Sequence, residues 1–151
     1  MHFNADKCKV LHLGQNHPKH VYNMKTHGTG ERVTLGVSIV EKDFDVLVDT
    51  DLKFSKHVEE QVNKANGTLG LIRRSFQFLN RENMKLLLTA LVRPHLEFGY
   101  VAWAPRYQKD RQLIEGVLRR TTKIVPGFRD LDGSERQVHE FAKYEVRKGV
   151  T

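Results

Sequence analysis

The sequence predicts an α+β fold in which a short β segment is followed by three helices. Two observations predict it: residues 1–54 hold only short apolar runs between turn residues, and the apolar spacing becomes helical from Ser55 onward. With 151 residues, 39% hydrophobic and 28% charged, the chain is long enough for one domain with a core. No apolar run has the length of a transmembrane helix, so we expect no membrane partner.

Three short strands are expected in the β segment. The first covers residues 9–13 and ends at Gly14, the second covers 33–40 with Gly36 inside it, and the third covers 44–48. Strands this short do not enclose a core, so we expect this segment to pack on another part of the protein.

The first predicted helix begins near Ser55, which can serve as its N-cap. Its apolar residues alternate in steps of four and three, as on one face of a helix of about six turns. These residues are Val58, Val62, Ala65, Leu69, Ile72, Phe76 and Leu79.

Two further helices are predicted. The second follows an N-cap at Asn80 and ends or kinks at Pro94, which lacks an N–H donor. Its expected buried residues are Met84, Leu87, Leu88, Leu91 and Val92. Residues 98–103 form an aromatic connector, and the third helix runs from about Lys109 to Pro126. Its expected buried residues are Leu113, Ile114, Val117, Leu118, Thr121 and Ile124. Residues 129–151 are mostly polar and are expected to form a divergent, flexible tail.

The net charge of +7 is unevenly distributed. Residues 1–50 contain six basic and six acidic residues, whereas the other 101 residues contain 19 basic and 12 acidic ones. A basic second part is typical of a protein that meets a polyanion, most often nucleic acid, although it also confers solubility.

Two basic clusters carry this excess charge on the predicted helices. Arg73 and Arg74 lie beside Phe76 and Phe78, and a second cluster of Arg119, Arg120 and Lys123 lies next to the buried side of the third helix. Arginines neutralise phosphates and stack on bases; a solvated helix face is the alternative interpretation. Trp103, Phe98 and Tyr100 either stack on bases or fill space between helices.

Two other sets of residues have the chemistry of metal ligands without a recognised spacing. Asp43 and Asp45 would share a strand face, and Asp49 and Asp51 would share a turn. The second set is Cys8, His12, His17 and His20. We predict no metal site: the acids are expected to be solvated, and the histidines to be ordinary surface residues. As the one cysteine, Cys8 excludes an internal disulfide, and the polar first residues do not resemble a secretory leader. We therefore expect an intracellular protein, with nucleus and cytoplasm left open.

Seven strings resemble, in order, LINE-type (non-LTR, chicken-repeat-like) retrotransposon reverse transcriptases. They are FNADKCKVLHLG at 3–14, DLKFSKHV at 51–58, NKAN at 63–66, LGLIRRSF at 69–76, LVRPHLEFG at 91–99, WAP at 103–105 and RRTTK at 119–123. Together they span nearly residues 1–130. Two departures stand out. The family usually has Leu-Gly where this chain has Phe44-Asp45, and its Tyr-x-Glu-Arg-Leu segment after Pro126-Gly127 is reduced here to GSER at 133–136.

The resemblance implies an RNA-directed DNA polymerase (nucleotidyltransferase) family and a position after its active-site Tyr-x-Asp-Asp motif. Residues 1–54 then correspond to the end of the palm with a primer-grip-like hairpin, and residues 55–128 to a three-helix, thumb-like bundle. By resemblance, Lys7 is a candidate proton donor to the pyrophosphate leaving group. The catalytic carboxylates that hold Mg²⁺ in a complete enzyme are not among these residues, so we expect no cofactor and no polymerase activity from this chain alone.

The leading hypothesis is therefore a reverse-transcriptase fragment that retains at most binding of an RNA/DNA template–primer. Its expected phosphate contacts are Lys53, Lys56, Lys64, Arg73, Arg74, Arg119, Arg120 and Lys123. One alternative is a helical protein–protein interaction module that self-associates through the apolar stripe of residues 58–79. The other is a translated relic without a selected function.

Overall fold

The computed structural model describes residues 4–124, apart from the side chains of residues 6, 81 and 122. The described residues form a mixed α+β structure of short strands followed by helices. The chain divides into two compact units, and the boundary between them lies between His57 and Val58. The predicted tail, residues 129–151, and the predicted helix stop at Pro126-Gly127 lie outside the described residues.

Six short strands and a 3₁₀ turn form the first unit. The turn is Ala5–Lys7, and the strands are β1 (Lys9–Leu11), β2 (Asn23–Lys25), β3 (Arg32–Thr34), β4 (Gly36–Ser38), β5 (Val40–Asp43) and β6 (Val46–Asp49). They pair two by two: β1 with β4 in parallel, β2 with β3 antiparallel, and β5 with β6 antiparallel. Each pair is small, so the first unit buries few apolar side chains, chiefly Ala5 and Val46.

The strand predicted at 33–40 is divided among three pairings. β3 pairs with β2, β4 pairs with β1, and β5 pairs with β6, so the chain changes partner twice within eight residues. At the first change, Leu35 donates its N–H to the carbonyl oxygen of Tyr22 at 2.9 Å. β2 is not among the strands predicted from the sequence.

The prediction of a strand at residues 44–48 was wrong at its start. Asp43 pairs with Val46, which leaves Phe44 and Asp45 as a two-residue hairpin turn. Both turn residues have positive φ, 43° and 66°, as a turn of type I′ requires. Asp43 and Asp45 therefore do not share a strand face.

Helices form the second unit. They are α1 (Ser55–Ser75), which begins in the first unit, α2 (Arg81–Leu87), α3 (Arg93–Glu97), α4 (Tyr100–Trp103) and α5 (Gln108–Ile124). None of the helices in residues 4–124 is long and apolar enough to cross a membrane.

The apolar stripe of α1 is buried over most of its predicted length. Val58, Val62, Ala65, Leu69 and Ile72 are each at most 6% exposed. The prediction was wrong at the end of the stripe, because α1 ends at Ser75 and Phe76 is 46% exposed. The buried stripe is therefore not available for self-association, which removes the basis of that hypothesis.

The second predicted helix is divided into segments. Asn80 caps α2 as predicted, its side chain accepting the N–H of Asn83 at 2.7 Å. Residues Leu88–Val92 then form a π-helical stretch directly before Pro94. The proline ring would clash with a carbonyl four residues earlier, and the wider π turn relieves that conflict. Leu91, predicted to be buried, lies within this stretch and is 46% exposed, whereas Val92 is buried as predicted.

The aromatic connector is partly helical. Gly99, with φ of 66°, precedes α4, and Trp103 at the end of α4 is 3% exposed. The indole Nε1 of Trp103 donates to the carbonyl oxygen of Phe98 at 2.6 Å. Trp103 therefore fills the core of the second unit and is not exposed for base stacking.

Candidate nucleic-acid interface

The first basic cluster lies at the C-terminal end of α1. Arg73 and Arg74 are in its last turn, where cations interact favourably with the carbonyl end of the helix dipole. Both are exposed. The chain then leaves the helix, and residues 76–79 lead to Asn80, the N-cap of α2.

The second basic cluster lies at the C-terminal end of α5. Arg120 and Lys123 are three residues apart, so they lie on neighbouring positions of one helix side. Arg119 is one residue away and makes an ion pair with Glu115 at 3.3 Å instead.

A hydrogen bond joins the two helices at this end. Arg120 donates from Nη1 to Oδ1 of Asn66 on α1, at 2.7 Å. A guanidinium has five N–H donors, so this bond orients Arg120 and leaves donors for a ligand. Asn66 falls in the NKAN string but was not predicted as a site residue, because its role depends on a residue 54 positions away.

An open groove of about 990 Å³ lies between the ends of α1 and α5 and brings members of both clusters together. We call it the basic groove. The residues that line it are Asn66, Leu69, Gly70, Arg73, Phe76, Gln77, Phe78, Leu79, Asn80, Arg120, Lys123 and Ile124. Among residues 4–124, no carboxylate lines it.

Among residues 4–124, no acid neutralises the charge of the basic groove. Within the described part of the chain, no ion pair joins Arg73, Arg120 or Lys123 to an acid. An anion entering the groove would therefore meet three cations and no carboxylate from the described residues. The groove also holds Phe76 and Phe78, and Phe78 is 91% exposed.

The other predicted phosphate contacts do not line the groove. Lys53 pairs with Asp51 at 2.6 Å, and Lys64 pairs with Glu60 at 2.7 Å. Lys56 and Arg74 are exposed but are not groove residues. Of the eight predicted contacts, three are thus brought together.

The four aspartates do not form a site. Asp45 lies in the hairpin turn and pairs with Lys42, while the carboxylate of Asp49 accepts backbone N–H groups from the turn that follows β6. Across residues 4–124 no group of three or more histidines, cysteines or acids is arranged to hold a metal ion.

The histidine set is only partly clustered. The rings of His12 and His17 are 4.5 Å apart, and His12 is 8% exposed. Burial, followed by repulsion from His17 and nearby cations, lowers the pKa of His12 below its ordinary value. The thiol of Cys8 instead donates to the carbonyl oxygen of Asn4 at 3.2 Å.

Lys7 is the last residue of the 3₁₀ turn at the start of the first unit, and it is exposed. Its role as a proton donor stays a prediction.

No protein-family model, curated protein or solved structure matches the chain.

Proposed function

We propose that this chain corresponds to the part of a LINE-type reverse transcriptase that follows the active site, and that its basic groove binds the phosphate backbone of a template–primer. The observation that carries the binding proposal is the basic groove itself, with three cations, two aromatic side chains and no carboxylate in its described lining. Phosphate contacts of this kind supply affinity that does not depend on sequence.

The sequence strings support the family part of the proposal. They follow one another in the order that such enzymes have after the Tyr-x-Asp-Asp motif. Three of the seven contain groove residues, among them Asn66, Arg73 and Arg120. In this proposal, residues 1–54 are the end of the palm with the primer grip, and residues 55–128 are the thumb. The β5–β6 hairpin, residues 40–49, is the candidate for that primer grip.

Binding rather than polymerisation is the activity proposed for residues 1–151. Two-metal phosphoryl transfer requires carboxylates that hold Mg²⁺, and the Tyr-x-Asp-Asp motif is not in this sequence. Lys7 would act only together with such a centre.

The test is equilibrium binding of the full chain to a labelled RNA–DNA hybrid primer–template at salt concentrations between about 50 and 300 mM. Three phosphate contacts predict that log K falls with log salt concentration with a slope of about −2 to −3. A chain with a helical far-UV circular dichroism spectrum that does not bind, or binds with a slope near zero, would refute the proposal. An unfolded chain would favour the alternative that the chain is a translated relic without a selected function.

A further inference from the structure

We propose that the basic groove takes an unpaired nucleic-acid strand, with one base stacked on the ring of Phe78. This inference rests on the proposed function and specifies its ligand: a single strand of RNA or DNA rather than the duplex that a template–primer presents along most of its length.

The exposure of Phe78 is the first observation. It is 91% exposed, although a phenylalanine gains free energy when its ring leaves water. A single exposed apolar side chain is ordinary on a protein surface, but this one lines a groove together with Arg73, Arg120 and Lys123. Cations that follow the backbone beside aromatic rings that stack on bases are the combination found in single-strand binding sites.

The loop that carries Phe78 is held at both ends. On one side, the N–H of Phe76 donates to the carbonyl oxygen of Ile72 at 3.1 Å, continuing the hydrogen bonds of α1. On the other side, Asn80 caps α2 through Asn83. Only three residues lie between these anchors, so the ring is presented from a short loop and little conformational freedom is lost on binding.

The basic groove suits an unpaired strand better than a duplex. In a duplex, each base is paired and stacked on its neighbours, so its face is not open to a side chain. An unpaired strand offers both a base face for Phe78 and phosphates for the three cations. A volume of about 990 Å³ accommodates one or two nucleotides, about the size of a drug-like ligand.

The test compares a labelled single-stranded RNA of twelve nucleotides with the same RNA paired to its DNA complement, using fluorescence anisotropy and the full chain. We expect the single strand to bind about ten-fold more tightly than the duplex, and Phe78→Ala to remove most of that difference by weakening single-strand binding about ten-fold. Phe78→Trp should restore the affinity, and its added emission should be quenched by the bound strand.

Phe44→Ala is the matched control, because Phe44 is also 91% exposed but lies in the hairpin turn of the first unit. It should bind both ligands as the unmodified chain does. Because Phe78 is so exposed, its truncation should leave the helical circular dichroism spectrum unchanged.

Arg73→Glu separates the two proposals. If Arg73→Glu weakens binding while Phe78→Ala does not, or if the duplex binds as tightly as the single strand, the single-strand inference fails and the proposed function stands. If neither variant changes the binding of either ligand, both fail. Self-association in sedimentation that Phe78→Ala abolishes, without nucleic-acid binding, would make the groove a protein contact and would also overturn the inference.

Discussion

At the scale of single residues, Asp49 organises the turn between β6 and α1. Its Oδ1 accepts the N–H groups of Asp51 and Lys53, at 3.0 and 2.9 Å, and its Oδ2 accepts that of Phe54 at 2.7 Å. Leu52 and Phe54 both have positive φ, a conformation that costs a residue with a Cβ about 1 kcal/mol. The carboxylate compensates for that strain by holding the backbone in place.

Asp49→Ala is therefore expected to lower the free energy of unfolding by about 2 to 3 kcal/mol, because three backbone donors lose a charged acceptor. Urea denaturation followed by circular dichroism and by amide NMR signals of the β5–β6 hairpin measures this change. The control is Asp51→Ala, which removes only the exposed ion pair with Lys53 and should cost less than about 0.5 kcal/mol. Equal losses in the two variants would contradict the role given to Asp49.

This role was not apparent from the sequence. Four aspartates within nine residues suggested metal ligands or solvated turn acids, and nothing in their spacing distinguished Asp49 from the others. The distinction comes from the positive φ values of the turn, which bring three N–H groups toward one carboxylate.

At the scale of elements, the sequence predicts several features set by nearby residues but does not predict changes of strand partner. The stripe from Val58 to Ile72 and the N-cap at Asn80 depend on residues within a few positions, and both were confirmed. The division of residues 33–40 among three strand pairs depends on residues up to 27 positions away, and sequence periodicity does not contain that information. The early end of α1 likewise placed Phe76 outside the predicted stripe.

The β5–β6 hairpin offers a test at this scale. Its turn has Asp45 at φ of 66°, where the resemblance expects a glycine, which has no Cβ and adopts positive φ without strain. Asp45→Gly should raise the free energy of unfolding of the hairpin by about 0.5 kcal/mol, even though the exposed ion pair with Lys42 is lost.

Asp45→Ala should instead lower that free energy by about 1 kcal/mol, because alanine keeps the strain and also loses the ion pair. Hydrogen exchange of the amides in β5 and β6 reports both changes. The turn geometry would be refuted if glycine and alanine had the same effect.

At the scale of the whole molecule, the excess positive charge is concentrated on the helices. Residues 58–124 contain 12 basic and 6 acidic residues, and three of the basic ones meet in the basic groove. The sequence predicts both basic clusters and the phenylalanines beside the first of them. It could not show that Arg73 and Lys123, 50 positions apart, line one groove. That arrangement depends on how α1 and α5 pack, and the Arg120–Asn66 hydrogen bond is part of this packing.

The central claim is that binding depends on where these cations lie and not only on the net charge. The most direct measurement compares primer–template affinity, at about 150 mM salt, between two triple variants that lower the net charge of +7 equally. The groove variant carries Arg73→Glu, Arg120→Glu and Lys123→Glu. The control carries Lys85→Glu, Arg106→Glu and Lys109→Glu, three exposed residues that do not line the groove.

A double variant, Arg73→Glu with Lys123→Glu, keeps the Arg120–Asn66 hydrogen bond. It controls for a loss of affinity that results from unfolding and not from the removed charges. We predict that the groove variants lose at least about a hundred-fold in affinity with unchanged circular dichroism, and that the control loses less than about three-fold. Equal losses in the groove triple and the control triple would contradict the claim, because binding would then follow net charge alone.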